Sequence, residues 1–330
     1  MLRSCVALGF VLLAAVQMVG QAPAPLARPI AVRNDVPRPG TEVLVLRHQQ
    51  LRKGAHQQYY ESSRDGVWPW YERIGTRVVG QWLVTGASPE FDDSYRLARY
   101  ASFEHWRATR DAENASLGGN GPNREKNVQA GRDRLGVQAG SKGAYFLQGH
   151  MAPDGPIHMP GLAESYTLVE AGRPSAVTDE IIAVRNDVAQ GGDEIVEIRY
   201  QQIVKGGSDR FLSATRAGVW PWEQKLGARP IGQWTVIYPE APNRTKESPD
   251  YDEVVTMTRY ASEAHRQAMR RDAAVLMGGN GPDYRAWMAA LDLQASLTRE
   301  TSAELARGHM YLSPPIFMPG LPERYRKAPQ

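Results

Sequence analysis

Five polar residues return at matching places in the two halves of this chain: Gln81 and Gln233, Arg99 and Arg259, Tyr100 and Tyr260, His105 and His265, His150 and His309. His105 and His265 fall at the start of a predicted helix, close after the two tyrosines. A neutral imidazole there could polarise a carbonyl or act as a base; a capping or surface histidine is the competing reading. His150 and His309 fall on a predicted strand, where alternation puts Gln148 with His150, and Arg307 with His309, on one face. Such a face could line a cavity, or its histidines could be hydrogen-bonded parts of the structure. Arg99 and Arg259 lie near a strand end and could clamp a carboxylate or phosphate, or close a structural salt bridge. Trp68 and Trp220 stand inside the block GVWPW, at residues 66–70 and 218–222, where they could frame an aromatic pocket.

Other chemistries find no support. His150 and His158 are too far apart for a local metal motif, and Phe317 replaces the second histidine in the other half, so no metal is expected. GGNGP (118–122, 278–282) lacks the strand–glycine–helix setting and the lysine ending of a phosphate loop, and reads as a turn. No GxSxG signature is present.

Composition narrows the partners. The formal net charge is +3 with no run of five or six like charges, so the clustered basic footprint of a nucleic-acid binder is missing. MLRS followed by CVALGFVLLAAVQMVG and the Pro-rich QAPAPLARP has the layout of a secretory signal peptide over residues 1–24. This predicts a secreted or periplasmic protein, with removal of about the first 20–24 residues. A membrane anchor is the alternative, although the run is short for a span of about 20 residues. Cys5 is the only cysteine, so the processed chain would hold no disulfide, thiolate nucleophile or cysteine-bound zinc. No later segment is long and apolar enough to span a membrane as a helix.

The elements that must position these residues come as a duplicated set. IAVRNDV (30–36) returns at 182–188, and EVLVLRHQQLRKG (42–54) returns as EIVEIRYQQIVKG (194–206). GVWPW and GQW keep the same offset of 152, while RYAS (99–102, 259–262) is offset by 160, which marks an insertion within PEAPNRTKESPDYDE. GHM and MPGL follow at an offset of 159. A period this long means a duplicated domain rather than a solenoid. The expected layout is a linker over 25–39, one unit over 40–171, a linker over 172–191 and a second unit over 192–330.

Within a unit, VLVLRHQQ and IVEIRYQQ read as strands. Tyr60, Ser63, Val67, Trp70 and Ile74 mark one helix face, with Gly75 and Gly227 as C-terminal glycines. Proline disfavours a helical residue before it, so a break is expected at 66–68, with Trp70 on the core stripe and Trp68 pointing elsewhere. Strands RVVGQWLVTG and SYRLARYAS follow, then a helix capped by Ser102 and running to Gly118, a segment opened by Pro122, and a closing strand AYFLQGHM. The order is βαββαβ, an α+β ferredoxin-like unit.

Each unit resembles a NIPSNAP domain of the dimeric α/β-barrel superfamily. The resemblance rests on the arginine-bearing first strand, the glycine-ended helix before GQW, the strand ending in RYAS and the arginine-rich helix after it (HWRATRD, HRQAMRRD). It covers most of residues 40–151 and 192–311. It implies two units packed sheet to sheet as an intramolecular pseudo-dimer, since each unit covers only one sheet face with helices. It further implies a binding module for a small molecule or a protein partner. The alternative is an enzyme with oxygenase-like or haem-dependent chemistry; no cofactor is otherwise predicted. The candidate pocket residues are Trp68, Arg99, Tyr100, His105, His150, Trp220, Arg259, Tyr260, His265 and His309.

Overall fold

The computed structural model describes residues 42–74, 76–86, 88–100, 102–110, 121–151, 195–239, 246–260, 262–269 and 279–310. The signal-like segment, the linker at 172–191 and Gly75 lie outside them. The first unit runs β1 (Val43–Arg52), α1 (His56–Ser62), a π-turn (Ser63–Val67), α2 (Trp68–Arg73), β2 (Arg77–Val84), β3 (Phe91–Tyr100), α3 (Phe103–Ala108), α4 (Pro122–Val137) and β4 (Gln138–Met151). The second repeats it: β5 (Ile195–Val204), α5 (Ser208–Ala214), a π-turn (Thr215–Val219), α6 (Trp220–Lys225), β6 (Arg229–Ile237), β7 (Tyr251–Tyr260), α7 (Glu263–Ala268), α8 (Pro282–Leu297) and β8 (Thr298–Met310). The expected βαββαβ order holds in both. Pro122, expected to open a helix, stands at the first position of α4, and Pro282 takes the matching position in α8. Gly227 takes φ 93°, the left-handed geometry expected after α6. The helix after Ser102 is described only to its first turns, so its run to Gly118 lies outside the described residues.

The eight strands form one closed antiparallel barrel in the order β1-β3-β2-β8-β5-β7-β6-β4. Two seams join the halves. At one, β2 pairs with β8, with Gln81 opposite His309 and Trp82 opposite Gly308. At the other, β4 pairs with β6, with His150 opposite Gln233 and Gly149 opposite Trp234. The glycines permit this approach: a Cβ on Gly149 would lie 2.7 Å from the Trp234 Cα, and one on Gly308 would lie 2.6 Å from the Trp82 Cα. The pseudo-dimer therefore meets through sheet faces inside the barrel and through hydrogen-bonded edges. An eight-stranded barrel is just wide enough for side chains to fill. Leu44, Leu46, Trp82 and Leu97 from one half meet Ile198, Trp234 and Met257 from the other in a single interior cluster.

The outer face of each half-barrel is covered by its own helices, which explains the GVWPW block. Proline has no N–H and crowds the carbonyl four residues back. The helix answers with a π-turn rather than the expected break: the Trp68 N–H bonds the Ser63 carbonyl, and the Trp220 N–H bonds the Thr215 carbonyl. The glycine serves helix crossing, because a Cβ on Gly66 would lie 2.9 Å from the Lys126 carbonyl oxygen of α4, and one on Gly218 would lie 2.7 Å from that of Ala286 in α8. Trp68 does not point away from the core. It is 0% exposed and packs with Val43, Val78, Tyr100 and Phe146 on the sheet, while Trp70 is 1% exposed beneath Arg124 of α4. The helix is clamped between the sheet and α4, so adjacent residues are both buried.

Candidate ligand-binding site

The structure separates the ten sequence candidates. Ser102 and Ser262 cap α3 and α7 by accepting the His105 and His265 backbone N–H groups, each at 3.1 Å. This places each imidazole against the end of the preceding helix: His105 Nε2 lies 2.5 Å from the Ile74 carbonyl oxygen, and His265 Nε2 lies 2.9 Å from that of Leu226. Both rings are buried and stand edge-on to Tyr100 and Tyr260. Burial holds His105 below the usual histidine range, partly offset by the bond to Ile74. The histidines therefore latch one helix to another, in keeping with the structural reading set against a base role.

Arg99 reaches into one end of the barrel and pairs with Glu42. Arg259 is likewise buried, and desolvation brings it down to about 9. Trp68 is core, and the Tyr100 hydroxyl accepts from Arg110 at 3.2 Å. His150 and His309 sit at the seams by register, but their side chains lie outside the described set. Gln81 and Gln233, opposite them, are buried with both amide atoms unpartnered.

Trp220 and Tyr260 come together at a cavity of about 60 Å³ between the π-turned helix and the sheet of the second unit. Its floor comes from β5 (Glu197, Arg199, Gln201) and β7 (Thr256, Thr258, Tyr260). Its walls come from Thr215, Trp220 and Glu223, with Gln294 of α8 closing one side. The β5 residues are two apart because alternate residues share a face. Arg199 Nε and Arg266 Nη1 each donate to the buried Glu197 carboxylate at 2.9 Å, so that charge is compensated.

Glu223 is different. Desolvation raises it to about 8, against the pull of Arg199 and the Thr258 hydrogen bond and with the push of Glu197. Its Oε2 is buried and has no hydrogen-bond partner. At neutral pH it is a carboxylic acid, able to donate one hydrogen bond and accept others. The sequence reading missed Glu197, Glu223, Thr256 and Thr258 because it followed residues that the repeat retains; Arg199, which repeats Arg47, it read only as part of the first-strand motif. The signal was present in the differences: Glu197 stands where the first copy has Val45, and Glu223 where it has Tyr71.

A haem does not fit this cavity. Among the described residues no histidine lines it, and its volume is far below that of a porphyrin. Among the described residues no group of three or more His, Cys, Asp or Glu is arranged to hold a metal ion. No helix among them is long and apolar enough to cross a membrane.

Neither a scan against protein-family models nor a search of curated proteins gives a match. Solved structures do resemble the chain in shape. A monooxygenase-like protein from Lactobacillus acidophilus aligns over 81% of this chain and 94% of its own, at 10% identity and a TM-score of 0.45. An encapsulated DyP-type peroxidase from Mycobacterium smegmatis aligns over 87% and 96%, at 9% identity and a TM-score of 0.39. A mutant chlorite dismutase from Candidatus Nitrospira defluvii, in complex with cyanide, aligns over 90% and 100%, at 12% identity and a TM-score of 0.34. The strand order itself defines the architecture: two ferredoxin-like units of one chain complete a dimeric-type α/β barrel.

Proposed function

We propose that the chain is an exported, tandem NIPSNAP-like binding module whose ligand site is the cavity of the second unit. Export is supported by the layout of residues 1–24, and the NIPSNAP reading by the four ordered motifs found in both halves. One observation carries the site: the buried, unpartnered Glu223 Oε2 in a cavity walled by the Trp220 indole. A buried polar atom without a partner is costly, and a ligand that pairs with it recovers that cost. The complement of a neutral carboxylic acid is a group that both donates and accepts, such as an amide. The cavity size restricts the ligand, or the part of it that enters, to a few heavy atoms.

Calorimetric titration of the processed protein with acetamide tests this. Binding should saturate at about pH 6 and weaken as pH rises through about 8, where Glu223 ionises and can no longer donate. Glu223→Gln should keep binding and lose its pH dependence, and Glu223→Leu should abolish binding. An absence of acetamide binding at every pH contradicts the reading. The enzymatic alternative finds its support at the same residue, since an acid near 8 can transfer protons close to neutral pH. It requires Glu223→Gln to bind substrate and fail to turn it over.

A further inference from the structure

The first unit carries a different set of side chains at the place that corresponds to this cavity. By the offsets of the repeat, Arg47 stands at the place of Arg199, Tyr71 at Glu223, Arg96 at Thr256 and Arg134 at Gln294. The pair of sites has therefore diverged in charge: two carboxylates line the second-unit cavity, and their first-unit counterparts are Val45 and Tyr71.

Four guanidiniums converge on Tyr71. Arg96 is 2% exposed and lies over the Tyr71 ring at 5.4 Å. Arg110 comes in from the end of α3, donating to the Tyr100 hydroxyl at 3.2 Å. Arg134 of α4 stacks on Tyr59 at 4.5 Å and donates to its hydroxyl. Arg47 projects from β1 on the same face. None of these four arginines has a carboxylate within ion-pair distance among the described residues. The Nε atoms of Arg47, Arg96 and Arg134 are buried without a hydrogen-bond partner. Arg96 and Arg134 are buried, Arg47 is half-buried and Arg110 is exposed; buried cations are normally paired, and guanidiniums present a planar fork suited to oxyanions. The electrostatics agree. Burial raises Tyr71, but Arg96, Arg110, Arg134 and Arg47 together hold it well below the usual phenol range. Burial and then Arg96 and Arg110 bring Arg47 down to about 10.

We propose that the helix–sheet face of the first unit is an oxyanion site, in which Arg47, Arg96 and Arg110 receive a phosphate or the carboxylate end of a small ligand beside Tyr71. The second unit takes a neutral group and the first an anionic one, so the duplication has yielded two sites of different selectivity on one barrel.

The experiment uses the full processed chain in a buffer without phosphate or carboxylate, titrated separately with inorganic phosphate and with acetate. Calorimetry reads binding, and near-ultraviolet absorbance reads Tyr71. In a pH titration before addition, one tyrosine should ionise at lower pH than a free phenol, and Tyr71→Phe should remove that transition. Either anion should bind saturably and move the transition to higher pH, because a bound negative charge favours the protonated phenol. The arm that binds more tightly identifies the headgroup. Arg96→Met should weaken binding roughly tenfold or more, as expected for loss of a hydrogen bond to a charged group. Should that variant fail to fold by circular dichroism, Arg47→Met and the wild-type titration decide the question. Failure of both anions to bind the folded wild-type protein overturns the proposal, as does binding that the arginine substitutions leave unchanged. Glu223→Leu should leave anion binding intact, so this site and the second-unit cavity stand or fall separately.

Discussion

Tyr71 and Glu223 occupy the same place in the repeat, and their surroundings drive them in opposite directions. Glu223 is raised to about 8 chiefly by desolvation, while the arginines around Tyr71 override the same burial effect and lower it. The shift in Glu223 has a thermodynamic consequence. A folded-state value above the unfolded one means that the native protein binds the extra proton between about 4.5 and 8. This contribution to stability is fully present below 4.5 and is lost as pH rises through about 8. Urea denaturation across that window should show the wild type losing more stability than Glu223→Gln, which cannot ionise. Parallel profiles would show that Glu223 is an ordinary carboxylate. The matched residues His105 and His265 carry a different lesson: each closes the end of the preceding helix.

Among the elements, the helix bearing GVWPW shows how far the sequence could be read. Its apolar period identified the helix, Ser102 identified the next N-terminus, and Pro122 identified the start of α4; Ser262 and Pro282 repeat these roles in the second unit. The π-turn was not legible, because a proline inside a helix admits either a break or a widened turn, and packing against α4 decides between them. The burial of Trp68 follows from the same packing. Trp68→Ala, Trp70→Ala and Trp222→Ala should each cost about 3–5 kcal/mol in chemical denaturation, as large core truncations do. Trp220→Ala should cost less, because one side of its ring faces the cavity and has fewer packing partners to lose. A cheap Trp68→Ala would contradict the packing described. The cavity lining was illegible for a related reason: it draws on β5, β7, the π-turned helix and α8, which meet only in three dimensions.

At the scale of the whole molecule, the two halves complete one barrel. Each contributes about half of the interior cluster, and each seam strand is bonded to the other half. The duplicated sequence implied this partnership, while the closure of both edges became visible only in the strand order. The proposed ligand sites lie on the outer, helix-covered faces. A lone half would expose its interior face, at about 25 cal/mol for each Å² of apolar surface left in water, together with both sheet edges. Sedimentation of residues 23–175 expressed alone is the direct measurement of this account. The account predicts that the fragment dimerises or aggregates, and that adding residues 176–330 converts it to a one-to-one complex. A fragment that stays monomeric and unfolds cooperatively at high concentration would contradict the shared barrel.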